Sequence, residues 1–186
     1  MFWVTRNIIS REPEVMLKAY KSIVRPHLEY CFQVWSPNAR HGNWRKIMEI
    51  ESVQRTFTRL VKGMDSLSYH ERLRKLGLTT LLERRTRGDL IETFKILNKF
   101  NNYGNEFFNL STRTNNLVAR PGGRKVDFFG QRVIKFWNKL PESVKDKNSV
   151  NSFKNALDNF RKNGIINKVG GQFWELSNEI FNRIYT

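Results

Sequence analysis

Ten cations in this chain fall into groups whose spacing suits the binding of phosphates. Arg55, Arg59 and Lys62 follow one another at intervals of four and three residues, so a helix places all three on one face. Arg84, Arg85 and Arg87 make a second group, and Arg120, Arg124 and Lys125 surround the turn Pro121-Gly122-Gly123. Arg132 follows them in the stretch 113–139, where seven cations and one anion leave a net charge of +6. Cations gathered on one face neutralise successive phosphates and release the counterions those phosphates held. The competing reading is of solvated faces carrying ordinary ion pairs, such as Glu83 with Arg87. For the Pro-Gly-Gly turn, glycine permits close approach to a backbone, but a plain linker is the favoured reading.

Other chemistries find less support. The phosphate-cradling spacing GxxxxGK[ST] is missing, so nucleotide hydrolysis is not expected. His27 and Cys31 stand four apart, a spacing that suits two metal ligands on a helix, yet no further ligand accompanies them. A core thiol is the favoured role for Cys31, and a Cys-His nucleophilic pair lacks its orienting third group. His41 and His70 read as surface or capping-region residues. No catalytic residue, metal or cofactor is expected. Trp35, Trp44, Trp137 and Trp174 are able in principle to stack on bases, but their helix-periodic positions favour core packing.

The 186 residues include 33 Lys and Arg against 17 Asp and Glu, a net charge of +16. A chain this basic normally faces a polyanion, nucleic acid being the commonest. Its 39% hydrophobic content is enough for a folded core. One cysteine excludes an internal disulfide and suits a reducing compartment. No apolar run approaches the roughly 18 residues of a membrane span, and the N-terminus lacks a secretory pattern. An intracellular protein of the nucleus or cytoplasm is expected.

The elements that must position these groups read as helices nearly throughout. Between Pro13 and Trp35, Val15, Met16, Ala19, Ile23, Val24, Leu28, Cys31, Val34 and Trp35 trace an apolar stripe. Pro26 should kink or split it, with Arg25 paired to Glu29. A helix over 43–62 turns Trp44, Ile47, Met48, Val53, Phe57, Leu60 and Val61 inward and ends at Gly63. Ser68 with Glu71 and Thr80 with Glu83 are capping boxes, opening a short helix closed by Gly77 and a long one to about Phe100. Turn-rich sequence follows over 101–125, then a brief extended stretch over 126–129. A helix over 131–140 stops at Pro141, another is capped by Ser149 and ended by Gly164, and an amphipathic segment runs from Phe173 to Ile184.

Three stretches together resemble one family. YKSIVRPHLEYCFQVWSP (20–37) is similar to the segment after the palm in reverse transcriptases of jockey-like and chicken-repeat-like non-LTR retrotransposons. IESVQRTFTRLVKG and LSYHERLRKLGLTTLLERRTRGDLIETFKIL (within 50–97) resemble the helical stretch that comes next. FFGQRVIKFWNKLPESVKDKNSVNSFKNALD (128–158) resembles the closing segment of the same reading frame. The likeness covers roughly residues 1–160. It implies the thumb and downstream region of an RNA-directed DNA polymerase. Polymerase chemistry needs clustered carboxylates holding two metal ions. In the family these lie on an aromatic-x-Asp-Asp turn and a separate Asp. Asp65, Asp89, Asp127, Asp146 and Asp158 include no adjacent pair, so this chain alone should not polymerise.

The expectation is an all-α fold. A thumb-like antiparallel helical body spans 1–100, a basic linker 101–125, a smaller helical unit 126–164 and a divergent tail 165–186. Its expected partners are RNA or DNA, as template–primer duplex or target DNA, and the missing polymerase palm, with no membrane. Binding would run through backbone phosphates without sequence readout. The alternative is a helical protein-interaction module with no nucleic-acid role.

Overall fold

The computed structural model describes residues 9–37, 44–98, 108–111, 116–119 and 129–166. The expected 173–184 helix, most of the 101–125 linker, residues 126–128 and the side chain of Trp44 lie outside them. Among the described residues the fold is all-α apart from one two-stranded sheet. It divides into two compact units, Met1–Arg85 and Thr86–Thr186. The boundary falls inside a helix, whereas composition places it near residue 100.

The first unit begins with α1 (Pro13–Ala19), a π turn (Tyr20–Val24) and α2 (Arg25–Glu29). Pro13 opens α1, where a missing N–H costs nothing. Pro26 does not break the chain, because the turn before it widens. The Arg25 N–H reaches back five residues to the Tyr20 carbonyl, easing the clash a proline ring makes with the carbonyl four residues earlier. The wide turn also sets which residues are buried. Met16, Tyr20 and Val24 are spaced by fours, and that spacing drifts about 40° per step around an ordinary helix. The π turn takes up the drift, so these three enter the core while Val15 and Ile23 stay exposed.

The helix ends at Glu29, and Cys31 adopts the left-handed conformation (φ 48°). Periodicity cannot be carried past that break. Cys31 is therefore exposed rather than a core thiol, and Val34 and Trp35 on α3 (Phe32–Trp35) are exposed as well. The Trp35 indole donates to the Tyr30 carbonyl at 2.6 Å.

α4 (Trp44–Arg59) supplies Phe57 to the core, and Val61 and Met64 just beyond it join Leu76 there. Leu60 stays partly exposed. α5 (Tyr69–Lys75) opens on a complete capping box: the Ser68 hydroxyl accepts from the Glu71 N–H, and the Glu71 carboxylate accepts from the Ser68 N–H at 2.8 Å. Gly77 (φ 60°) supplies the left-handed residue that turns the chain after Leu76. Thr80 caps α6 (Leu81–Leu97) by accepting from the Glu83 N–H at 3.1 Å.

The second unit takes α6 from Thr86 onward. Leu90, Phe94, Phe129, Val133, Trp137, Phe153 and Leu157 form its core with α7 (Phe129–Asn138), α8 (Glu142–Lys145) and α9 (Val150–Ile166). The Phe94 and Phe153 rings stack at 4.3 Å. The expected linker is partly built into this core. Phe108 and Leu117 are buried on an antiparallel pair, β1 (Phe108–Leu110) and β2 (Leu117–Ala119). The Asn138 side chain stands in for a further strand, accepting from the Leu117 N–H at 2.8 Å and donating to its carbonyl at 3.0 Å. Ser149 caps α9 through the Ser152 N–H at 3.1 Å.

Candidate functional site

α4 and α5 pack together in the first unit and bring their cations to a common region. Arg59 ends α4, and Arg72, Arg74 and Lys75 occupy the last turn of α5. The Arg55 guanidinium lies over the Tyr69 ring at 5.0 Å and that of Arg72 at 5.7 Å, so one aromatic ring gathers two like charges. Arg72 feels the crowding: burial first, then the fields of Arg55 and Arg59, hold its pKa below the usual arginine range. His70 is held low by desolvation and then by Arg55 and Arg74. Cations in a last turn also complement the helix dipole, and Arg72 is partly structural. It is buried, with Nε donating to the Thr58 hydroxyl at 3.2 Å and Nη1 to the Leu67 carbonyl. Arg59, Arg74 and Lys75 are exposed.

A buried polar network fixes this face from beneath. Glu51 on α4 is 1% exposed, and its carboxylate accepts from the Tyr69 hydroxyl at 2.5 Å. It also accepts from the Leu81 N–H at 3.0 Å and the Leu82 N–H at 3.3 Å, satisfying donors that the start of α6 leaves open. The Tyr20 hydroxyl donates to Gln54 at 2.6 Å, and the Gln54 amide donates to the Tyr69 oxygen at 2.8 Å and the Thr79 carbonyl at 3.0 Å. Burial pushes the Glu51 carboxyl up, while Tyr69, the two N–H groups and Arg85 pull it back. Burial raises both tyrosines further, with Glu51 adding to it, so they stay protonated donors. Tyr69 links the two layers: its ring carries Arg55 and Arg72, and its hydroxyl is anchored to Glu51.

The residues expected to contact phosphate have different fates. Arg55 and Arg59 join the cationic region. Lys62 is exposed, held by a 2.6 Å ion pair to Glu12 and by a backbone bond to Arg11. That pair raises its pKa. The 84–87 group is given over to structure. Arg84 makes a forked pair with Glu29, which also meets Arg25 at 3.8 Å. Arg85 is 2% exposed and donates to the Leu81 carbonyl at 3.1 Å. Arg87 pairs with Asp158 through two 2.7 Å bonds, where a pairing with Glu83 was the sequence alternative. Arg132 is 8% exposed and forks onto Asp89 at 2.6 and 2.8 Å. Arg85 and Arg132 are thus corrected from phosphate contacts to buried structural groups. Arg120, Arg124 and Lys125 lie outside the described residues.

The sequence reading passed over Arg72, Arg74 and Lys75, although HERLRK carries the cations in plain view, and took His70 as a surface or capping-region residue. Among the described residues no three His, Cys, Asp or Glu side chains gather as a metal site would require. None of the described helices is long and apolar enough to cross a membrane. Comparison with protein-family models, curated proteins and solved structures finds no match to this chain.

Proposed function

We propose that this chain binds nucleic acid through the phosphate backbone, as the thumb and downstream part of a non-LTR retrotransposon RNA-directed DNA polymerase. The catalytic palm belongs elsewhere in that enzyme, and this chain performs no catalysis alone. The observation that carries the reading is the convergence of cations across α4 and α5: Arg55 and Arg59 lie close enough to lower Arg72, and Arg55 and Arg74 close enough to lower His70. Like charges held together cost energy that a polyanion recovers, so such a face gains more from phosphate than from solvent. The polymerase assignment rests on the three resembling stretches. The partners would be template–primer duplex or target DNA and the missing palm, in the nucleus or cytoplasm.

The test is binding of the purified chain to a labelled RNA–DNA duplex across a salt series. Log affinity is expected to fall linearly with log salt, at a slope of about −0.9 per phosphate neutralised. Binding that ignores salt, or is absent at low salt, overturns the reading. A second reading, a helical protein-interaction module, draws support from the exposed Tyr30, Val34 and Trp35. Absence of binding at low salt favours it.

A further inference from the structure

We infer that His70 couples occupancy of the α4–α5 face by a phosphate polyanion to uptake of a proton, so that binding tightens in acid. The inference rests on the nucleic-acid reading above and adds a regulation of the same face. His70 is exposed, one residue into α5, with its ring 6.1 Å from that of Tyr69. Two cations of the face meet the same ring: Arg55 from α4 and Arg72 from α5 lie over Tyr69.

The charged groups acting on His70 are Arg55 from α4 and Arg74 from its own helix. Two carboxylates of these helices, Glu71 and Glu51, are held by other groups. Glu71 is turned to the Ser68 hydroxyl and N–H at 2.6 and 2.8 Å. Glu51 is buried, bound to the Tyr69 hydroxyl and the start of α6. In the free protein the imidazole is held below its usual value of about 6.5 and is neutral at physiological pH.

Phosphates bridging Arg55 and Arg74 cancel the field that disfavours the imidazolium and place negative charge beside it. Both effects raise the proton affinity of His70. The bound form therefore takes up a proton more readily than the free form. Affinity is flat above both pKa values, rises as pH falls between them, and levels off below the free value. When charged, His70 adds a further positive charge and a second N–H donor to the face, and the arginines beside it make that conditional on the ligand.

The test measures affinity for a short fluorescein-labelled DNA duplex at fixed low salt, from about pH 8 to about pH 5.5. The wild-type chain should bind roughly three- to tenfold tighter at the acid end, the range expected from a shift of up to about one pKa unit. His70→Gln should be flat, and His27→Gln should keep the wild-type slope. Nuclear magnetic resonance titration of the His70 ring in the unaltered protein gives an independent reading: its midpoint should rise when duplex is added. A rise in affinity retained by His70→Gln, or a midpoint that does not move in the bound protein, overturns the coupling alone. No binding at any pH overturns the phosphate-binding reading and the coupling with it.

Discussion

Glu51→Ala is expected to cost the first unit about 3–5 kcal/mol, the range for removing one partner from a buried charged network. The carboxylate is where α4, α5 and α6 meet: it accepts from Tyr69, from the Leu81 and Leu82 N–H groups, and it faces the charge of Arg85. Alanine removes that acceptor at once from a hydroxyl and two helix-opening amides, and removes the negative charge that the buried Arg85 faces. Folded domains hold only about 5–15 kcal/mol in total, so the loss should bring this unit close to unfolding. Urea denaturation, with hydrogen exchange at Phe57 and Leu81 to locate the loss, checks it. Glu51→Gln keeps one carbonyl acceptor and should cost about 1–3 kcal/mol. A change below about 0.5 kcal/mol for the alanine variant would place Glu51 with ordinary surface residues and contradict this role.

The second large effect is expected at Asp89. Asp89→Ala removes the carboxylate onto which the buried Arg132 guanidinium forks and should cost the second unit about 3–5 kcal/mol. The pair itself is a different matter. Two ions removed from water gain little over apolar groups of equal size, so Asp89→Leu with Arg132→Met should recover most of the loss. Trp137, buried in the same core, reports unfolding of this unit by its fluorescence in urea. A double variant as unstable as Asp89→Ala would show that the site needs its charges for more than mutual neutralisation.

These two carboxylates also show what a sequence reveals and what it hides. Signals confined to a few residues were legible. The Ser68–Glu71 capping box, the Gly77 turn, the Ser149 cap and the Arg25–Glu29 pair all formed as expected, because each depends on chain geometry alone. The roles of the arginines were not legible. Arg132, Arg84 and Arg87 find their carboxylates 43, 55 and 71 residues away. No spacing rule distinguishes such a cation from one that faces solvent.

The Glu51 network left a trace that the apolar reading passed over. Ile47, Glu51, Gln54, Thr58 and Val61 are all buried and share one helical phase. A polar residue in step with an apolar stripe marks a buried polar layer. Cys31 was misplaced for a different reason, since the helix had already ended at Glu29 and its period no longer applied. The β1–β2 pair, three residues to a strand, is too short to show alternation within a polar stretch.

The site itself was half legible. Arg55 and Arg59 were found from one helix face, while the α5 cations joined them only through tertiary packing around Tyr69.

The most direct measurement compares two variants of equal charge on the same RNA–DNA duplex. One replaces Arg59, Arg74 and Lys75 with glutamine; the other replaces Lys139, Lys154 and Lys162. Each removes three positive charges from solvent-accessible side chains, so any difference reports place rather than net charge. The α4–α5 variant should flatten the salt slope by about three and weaken binding roughly 100-fold at physiological salt, while its counterpart changes either by little. Equal losses from both variants would contradict a defined phosphate-binding face and leave only diffuse attraction to a basic surface.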